Sequence, residues 1–369
     1  MEILNPQTAE ELAVLLAESA SAGQSIRVGG QFTKDRMAGP IAPADVTIST
    51  RALNAVLQYE PRDLTISVQA GVSFAGLSLL LAENNQMIPL DPPFFDGASV
   101  GGVVAANSSG PRRRLYGTAR DLVIGMEFAT LEGKLVKSGG MVVKNVAGLD
   151  MGKLMIGSFG TLAAITTVNF KLTPIPEETA AFVLPCRSLD DAIEKRDEIL
   201  KGVLQPASLD LLNPKAADIM GLSGWCLIVQ VCGNSNVISR YRKELFNPAS
   251  LPGESLLELR EFTAKFLEVL PEGTVVRISS TLAELKPIMK NLDVPLISRA
   301  GSGVTYAYFT SSEEAVLPGK GVIEFAPESK KAGLNLWPEP GSDFPMMTKI
   351  KHMFDPQNLL NAGRLYGRI

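Results

Sequence analysis

A stretch of small residues from Ala98 to Gly110, with the sequence ASVGGVVAANSSG, constrains the fold of this chain more than any other segment. Few large side chains here stand between the backbone and its surroundings. A backbone without Cβ atoms can bring its N–H groups close to a ligand and can adopt positive φ values. Two interpretations are open: a loop against a large, flat or anionic ligand, or tightly packed turns between strands.

Two further glycine-rich segments favour the ligand interpretation, because three such segments in one chain are harder to explain by packing alone. They are Val28 to Thr33 and Gly157 to Ile165. The first follows a predicted strand, Ser25 to Val28, and leads to another strand instead of a helix. In a Rossmann fold the glycine loop opens a helix whose N-terminus receives the phosphates. Here loop amides alone would hold a phosphate.

Local patterns predict the elements around these segments. Thr8 caps a first helix with Glu11 as its capping-box partner. Asp121 to Thr130 and Lys134 to Ser138 alternate as the two strands of a hairpin. Val142 to Asp150 is predicted as a short helix. After Pro176 strands alternate with helices, which predicts two α+β units on one sheet.

Length and charge narrow the class of protein. The chain has 369 residues, for which two domains are the usual expectation. Its formal net charge of -4 argues against a nucleic-acid surface. The cluster Arg112 to Arg114 is either a solvated turn or a docking site for an acidic partner or a carboxylate. The N-terminus lacks a signal-peptide pattern and Leu154 to Phe170 is too polar for a membrane span, which predicts a cytoplasmic protein.

The three segments together resemble the FAD-binding domain of the vanillyl-alcohol oxidase superfamily, also called the p-cresol methylhydroxylase (PCMH)-type flavoproteins. Ser109 to Arg113, Val143 to Asp150 and Gly157 to Gly160 resemble more specifically the E subunits of glycolate oxidase. The resemblance implies an α+β fold in three parts. These are a two-subdomain PCMH-type FAD-binding domain (1–176), a smaller α+β, ferredoxin-like cap domain (177–343), and a C-terminal helix and tail (344–369) that return to the FAD domain.

The resemblance also implies which residues contact FAD. The pyrophosphate would lie on the first glycine loop, at Gly29, Gly30, Gln31, Phe32 and Thr33. The pyrophosphate and isoalloxazine would pass along Ala98, Ser99, Gly101, Gly102 and Asn107. The adenosine side would meet Gly157, Gly160 and Ile165, and the ring would be bordered by Asp91, Tyr116 and Gly117.

The FAD is expected to be noncovalent. Members of the superfamily that tether the flavin use a histidine in the first glycine loop, or a cysteine or histidine further on. This chain has Gln31 in that loop and no cysteine or histidine between Met1 and Pro185.

The implied function is that of a FAD-binding subunit that works with a second FAD-binding subunit and an iron–sulfur subunit. The complex would oxidise glycolate, or a related 2-hydroxy acid such as D-lactate, to the 2-oxo acid. Any membrane association would then come through partner subunits. Two alternatives remain open: a stand-alone FAD-linked alcohol oxidase or dehydrogenase, and an electron-relay or scaffold subunit without substrate turnover.

Catalytic residues are left unassigned by the sequence. His352 is the single histidine, so the paired histidines with which some relatives hold a metal are absent, and no metal is predicted. A proton acceptor for a substrate hydroxyl would have to be Tyr, Lys, Glu or Asp. Arg277 and Arg299 are either carboxylate clamps or structural residues, and the structural role is favoured.

Overall fold

The computed structural model describes residues 3–142, 149–245 and 248–369. The chain divides into two compact units. The first consists of Met1–Ser108, Thr118–Ile175 and Glu339–Ile369, and the second of Ser109–Gly117 and Pro176–Pro338. The sequence analysis placed Ser109–Gly117 in the first domain, whereas in the structure these residues group with the second unit.

The strands of the first unit are β1 Ile3–Leu4, β2 Ile26–Gly29, β3 Val46–Ser49, β4 Val56–Glu60, β5 Thr65–Gln69, β6 Gln86–Met87, β7 Val123–Ala129, β8 Leu135–Gly139, β9 Ala164–Lys171 and β10 Thr173–Pro174. The strands of the second unit are β11 Glu178–Cys186, β12 Ser208–Leu212, β13 Trp225–Gly233, β14 Ala249–Leu251, β15 Thr274–Ser279, β16 Leu296–Arg299, β17 Val304–Phe309 and β18 Gly321–Phe325. The helices, in chain order, are α1 Ala9–Ser21, α2 Phe74–Ala82, α3 Val100–Ala105, α4 Arg113–Tyr116, α5 Ala119–Leu122, α6 Gly152–Met155, α7 Leu189–Lys201, α8 Pro214–Ile219, α9 Ser235–Glu244, α10 Gly253–Val269, α11 Leu285–Asn291, α12 Glu328–Lys331 and α13 Phe344–Phe354.

Two main sheets build the first unit. A three-stranded parallel sheet has the order β1-β3-β2, and a five-stranded antiparallel sheet has the order β4-β5-β9-β7-β8. The predicted cap of α1 is confirmed, since the Thr8 hydroxyl accepts the Glu11 N–H at 3.1 Å. The Glu11 carboxylate accepts the N–H of Gln7 and not that of Thr8. Leu12 and Leu16 of α1 are fully buried beside the parallel sheet.

The small-residue segment that starts at Ala98 is partly a helix, not the loop that its glycines suggested. Ser99 caps α3, because its hydroxyl accepts the Gly102 N–H at 3.3 Å. Val100, Val103 and Val104 are fully buried on one side of the helix. This i, i+3, i+4 spacing is the signature of an amphipathic helix. The valines give the segment a core-facing side, and the small residues occupy the other.

The second unit is organised by one eight-stranded sheet of order β14-β11-β13-β12-β16-β17-β15-β18. The prediction that both α+β units share one sheet is confirmed. The edge strand β18 was not predicted, because its five residues include a glycine and a glutamate and give a weak strand pattern. It forms by pairing with β15.

One predicted helix lies mostly in a part of the chain that the structure does not describe. The helix expected over 142–150, with the motif that includes Lys144 and Asn145, lies mostly in 143–148, outside the described residues. Among the described residues, no helix is both long and apolar enough to cross a membrane.

Candidate functional site

A pocket in the first unit brings together three segments that are far apart in the sequence. The loop after β2, the small-residue face of α3 and the end of the chain form its walls. Its lining residues are Ser25, Ile26, Arg27, Val28, Gly29, Gly30, Gln31, Phe32, Thr33, Lys34, Asp35, Ile41, Ala42, Pro43, Ala44, Ser99, Gly102, Ala105, Ala106, Phe159, Leu359, Asn361, Ala362 and Arg364.

The α3 wall consists of Ser99, Gly102, Ala105 and Ala106. These residues recur at helical spacing, so they form one face that lies opposite the buried valines. None of them has a side chain larger than a hydroxymethyl group. A ligand can therefore approach the α3 backbone closely along this face.

The loop wall begins at Gly29 and Gly30, where β2 ends. A Cβ atom on Gly30 would collide with the Ser99 hydroxyl, so the loop and the cap of α3 can touch only because residue 30 is glycine. Ser49 fixes the same turn by donating its hydroxyl to the Gly30 carbonyl at 2.8 Å. This close contact joins the first two glycine-rich segments into one surface.

The charge of the pocket wall suits an anion. Arg27, Lys34 and Arg364 line it together with one carboxylate, Asp35. Arg27 contacts Asp35 at 2.5 Å, and its guanidinium lies 4.6 Å from the centre of the Phe32 ring. Arginine and lysine are the residues that proteins use for phosphate groups. The excess of cations matches the two negative charges of a pyrophosphate.

The end of the chain completes the pocket through Asn361. Its side-chain Oδ1 accepts the Val28 N–H at 2.8 Å, and its Nδ2 donates to the carbonyls of Val28 at 3.0 Å and Phe159 at 2.8 Å. One amide thus joins β2 to the turn after α6. The sequence analysis expected the tail to return to this domain but did not single out Asn361, because only the fold places it there.

A shielded acceptor without a donor supports a ligand next to α3. The Asn107 Oδ1 atom is buried and has no hydrogen-bond partner within residues 3–142, 149–245 and 248–369. Leaving such an atom unsatisfied costs about 1–3 kcal/mol. A ligand with N–H or O–H groups beside Asn107 would remove that cost. The groups that line the pocket itself and fit FAD are the small-residue wall and the cations.

The structure brings part of the predicted cofactor set together. Seven predicted residues line the pocket, namely Gly29, Gly30, Gln31, Phe32, Thr33, Ser99 and Gly102. The pocket lining does not include the other nine, Asp91, Ala98, Gly101, Asn107, Tyr116, Gly117, Gly157, Gly160 and Ile165. Lys34, Ala105, Ala106, Asn361 and Arg364 line the pocket and were not predicted. Helical spacing from Ser99 would have identified the two alanines.

Gly101, whose backbone was expected to approach the cofactor, contacts the core. Its N–H donates to the Ala70 carbonyl at 2.7 Å. A Cβ at this position would lie 2.8 Å from the Ala70 Cβ. Gly101 therefore packs α3 against the strand exit at Ala70 and leaves the ligand face to Gly102.

The third glycine segment supports the pocket from behind. The Gly157 N–H donates to the Val104 carbonyl at 3.2 Å, and the Phe159 N–H donates to the Ala105 carbonyl at 2.9 Å. Gly160 has a φ of +70°, and a Cβ there would come within 2.8 Å of the Asn361 amide nitrogen. Ile165 belongs to the hydrophobic core. This segment holds α3 and the tail in place.

The remaining predicted residues lie elsewhere. Ala98 is buried before the cap of α3, and Asp91 is 9% exposed with a φ of +48°. Tyr116 and Gly117 belong to the second unit. Their contact with a flavin ring stays a prediction.

A separate cluster of charges lies on the large sheet of the second unit. Arg277 of β15 donates to Glu324 of β18 at 2.9 Å, and Arg299 of β16 donates to Asp210 of β12 at 2.8 Å. The second pair is almost completely buried, with side chains 9% and 0% exposed. Arg277 and Arg299, the two candidates to bind a substrate carboxylate, thus each pair with a carboxylate of their own sheet. These pairs agree with the structural role that the sequence analysis favoured.

Tyr306 of β17 lies in the same cluster, with the Arg299 guanidinium 5.6 Å from its ring centre. Burial raises the pKa of Tyr306, and the Glu324 carboxylate adds to the rise. Burial also raises the pKa of Glu324, against the opposing effects of Arg277 and Arg113. The ion pair with Arg277 opposes this rise, because the guanidinium favours the charged carboxylate.

Comparison with known proteins agrees with this geometry. Residues 2–139 match the family model described as FAD binding domain. The glycolate oxidase subunit GlcE of Escherichia coli (strain K12) is 28% identical over 330 residues, which cover 88% of this chain and 88% of that protein. The glycolate oxidase subunit GlcD of Bacillus subtilis (strain 168) is 28% identical over 213 residues, but only 45% of its length is covered. A D-lactate dehydrogenase of Anaerostipes hadrus is 33% identical over 168 residues, 35% of its length.

Among solved structures, an alkyldihydroxyacetonephosphate synthase superposes with a TM-score of 0.72 at 19% sequence identity. The match covers 97% of this chain and 75% of that one. At this identity the likeness concerns the fold alone.

Proposed function

We propose, from the premise that this chain belongs to the PCMH-type superfamily of FAD-binding oxidoreductases, that it is the FAD-binding subunit of a complex that oxidises a 2-hydroxy acid. Glycolate is the first candidate substrate and D-lactate the second. The electrons would leave through a second flavin subunit and an iron–sulfur subunit.

One observation carries this proposal: the similarity to the E. coli glycolate oxidase subunit extends over 88% of both chains. It therefore includes the second unit, which the FAD-binding family model does not cover. The matches to GlcD and to D-lactate dehydrogenase cover less than half of those proteins. They support the 2-hydroxy acid class without deciding between its members.

The pocket assigns roles to the chain's own residues. The backbone N–H groups of the loop from Gly29, with Arg27 and Lys34, would hold the pyrophosphate, and the α3 face would lie along the cofactor. Bound FAD supplies the acceptor of two electrons and a proton from the substrate carbon. The protein's task is to bind the cofactor, exclude water and receive the hydroxyl proton.

The FAD should be noncovalent. The residues that line the pocket include no cysteine and no histidine. Cys186 and Cys226 lie in the second unit, where burial raises the pKa of both thiols and makes them poor nucleophiles. Acid precipitation of the purified protein should leave the yellow flavin in the supernatant. Flavin that stays in the washed pellet would contradict this prediction.

Three carboxyl or hydroxyl groups are candidates to receive the substrate proton. Asp91 and Tyr116 follow from the resemblance, and a third candidate is Glu324, whose partly buried carboxylate pairs with Arg277 on the large sheet of the second unit. Positioned proton transfer contributes about 10²–10⁴-fold to a rate. Glu324→Gln keeps the shape of the side chain and would lower substrate-driven flavin reduction by such a factor only if Glu324 is the acceptor.

We expect the isolated subunit to be a poor glycolate dehydrogenase that needs its partners. The FAD-loaded chain should be mixed anaerobically with excess glycolate or D-lactate, and the loss of flavin absorbance followed. The same mixture with the partner subunits should react faster, by about 10²–10⁴-fold if they complete the proton-transfer machinery. Ethanol serves as the control substrate because it lacks the carboxylate.

Each outcome separates the candidate functions. Complete bleaching of the isolated chain within seconds would reject the dependence on partners and favour a stand-alone dehydrogenase. Equal bleaching by ethanol would reject the 2-hydroxy acid class. Bleaching that never occurs, even in the complete assembly with its companion flavin removed, would favour the electron-relay alternative. That alternative gains some support from His352, the single histidine of the sequence, whose side chain is exposed on α13.

A further inference from the structure

We infer that Arg364 is a positioning residue that shapes the cofactor loop, so that FAD binding depends on docking of the last part of the chain. The inference rests on the FAD-binding part of the proposed function and is independent of the substrate. We call residues 34–39 the Arg364-bound loop.

The contacts are numerous for a single side chain. Arg364 Nη1 donates to the carbonyls of Gly39 at 2.8 Å and Asp35 at 3.2 Å. Nη2 donates to the carbonyls of Met37 at 2.7 Å and Lys34 at 3.3 Å. The Arg364 carbonyl accepts the Gly39 N–H at 2.9 Å. Four carbonyls that point toward one centre thus meet one guanidinium.

The loop needs an external anchor because it has little structure of its own. No helix or named strand lies between β2, which ends at Gly29, and β3, which begins at Val46. Phe32 and Ala38 have φ values of 56° and 60°, where non-glycine residues are strained. Such conformations persist only where the surroundings enforce them. The strain and the converging carbonyls indicate that this loop conformation is held by Arg364.

The geometry explains why the residue is arginine. A guanidinium offers five donors in a flat, rigid fork, whereas a lysine ammonium is a compact group on a flexible stem. Only the guanidinium, with two N–H groups on each of Nη1 and Nη2, can donate to four carbonyls at once. Lysine would keep the positive charge near the pocket but would lose most of the loop contacts.

The same tail residues are themselves firmly attached. Asn361, three positions earlier, binds Val28 and Phe159, as described above. The loop residues Lys34 and Asp35 line the pocket beside them. The pocket therefore takes its binding shape only when Asn361 and Arg364 have docked. These two residues follow the loop by more than 300 positions in the sequence. A fragment limited to the FAD-binding family match would lack this part of the site.

The test compares Arg364→Lys and Arg364→Met with Arg368→Met in the full chain. Arg368 is exposed and its guanidinium lies 5.6 Å from the Phe344 ring centre, so it provides a control arginine from the same tail. FAD affinity is measured by fluorescence titration of the apoprotein. Amide hydrogen exchange over 34–39 is measured in the apoprotein, where no cofactor can stabilise the loop.

Both Arg364 variants should raise the apparent Kd for FAD by about 10–100-fold, because the loop would keep its binding conformation in only a small fraction of the molecules and the apparent Kd rises by the inverse of that fraction. Both should also lose exchange protection in the Arg364-bound loop, and Arg368→Met should change neither quantity. Wild-type affinity in Arg364→Lys would show that Arg364 contributes only charge. Unchanged exchange in that variant would overturn the positioning role. If Arg364→Met does not fold, Arg364→Lys alone decides.

Failure of this test is distinct from failure of the proposed function. Exchange and FAD affinity require neither substrate nor partner subunits. A chain that ignores glycolate can still show the effect of Arg364, and a glycolate-active chain can still contradict it.

Discussion

Lys351→Met should lower the free energy of unfolding by about 3–5 kcal/mol, the usual cost of leaving one partner of a buried ion pair alone. Lys351 is 4% exposed and Asp355 is 2% exposed. Lys351 Nζ contacts the Asp355 carboxylate at 2.7 Å and donates to the carbonyls of Thr161 at 2.8 Å and Leu360 at 3.0 Å. The ammonium thus joins α13 to the turn before β9 and to the tail.

Urea denaturation followed by far-UV circular dichroism would measure this loss. Lys349→Met on the same helix is the matched control, because Lys349 is exposed and should change the midpoint little. The Asp355 carboxylate would still accept the N–H groups of Leu359 at 2.9 Å and Leu360 at 2.8 Å, but it would lose its buried counter-charge. A loss below about 1 kcal/mol for Lys351→Met would contradict the prediction. It would show that methionine replaces the buried ammonium without the usual penalty for leaving a buried charge unpaired.

Gly102→Val should purify with much less FAD while the protein remains folded. A Cβ on Gly102 would lie 3.1 Å from the Ser99 hydroxyl, and the valine methyl groups would stand on the pocket face of α3. The resulting displacement of the cofactor or strain of the segment should cost on the order of 1–3 kcal/mol. That corresponds to roughly a 5- to 150-fold weaker affinity.

Gly101→Val provides the contrast on the adjacent residue. Its new Cβ would meet Ala70 at 2.8 Å inside the core, so this variant should lose stability, by about 1–3 kcal/mol or more. The ratio of flavin to protein absorbance and the thermal unfolding of the apoproteins separate the two effects. Full flavin occupancy in Gly102→Val would show that the α3 face serves only packing.

Capping signals were the most reliable part of the sequence analysis. Thr8 was predicted to start a helix, and its hydroxyl accepts a backbone N–H three residues later, as the hydroxyls of Ser73 and Ser188 do at the starts of α2 and α7. These bonds join residues within one turn, so the sequence contains everything that decides them. The hairpin predicted over Asp121 to Thr130 and Lys134 to Ser138 forms as β7 and β8 for the same kind of reason, since its strand pattern and its turn are local in the sequence.

Glycines were ambiguous because one residue type serves two purposes. Gly101 and Gly102 are neighbours in one short helix, yet one packs on Ala70 and the other faces the pocket. A glycine shows that something lies close to the backbone but not what it is. The choice between core and ligand depends on which side of α3 each residue occupies, and the sequence analysis treated the segment as a loop.

The sequence by itself determined most of the local elements, the class of cofactor through the family resemblance that its three glycine-rich segments show, and the absence of a histidine pair. Only the tertiary structure decided that Asn361 and Arg364 complete the pocket and that Arg277 and Arg299 pair with carboxylates of their own sheet. The physical reason is the range of the interactions. Caps and helix faces form between residues a few positions apart, whereas a guanidinium that binds the carbonyls of a distant loop depends on where the whole chain places its end.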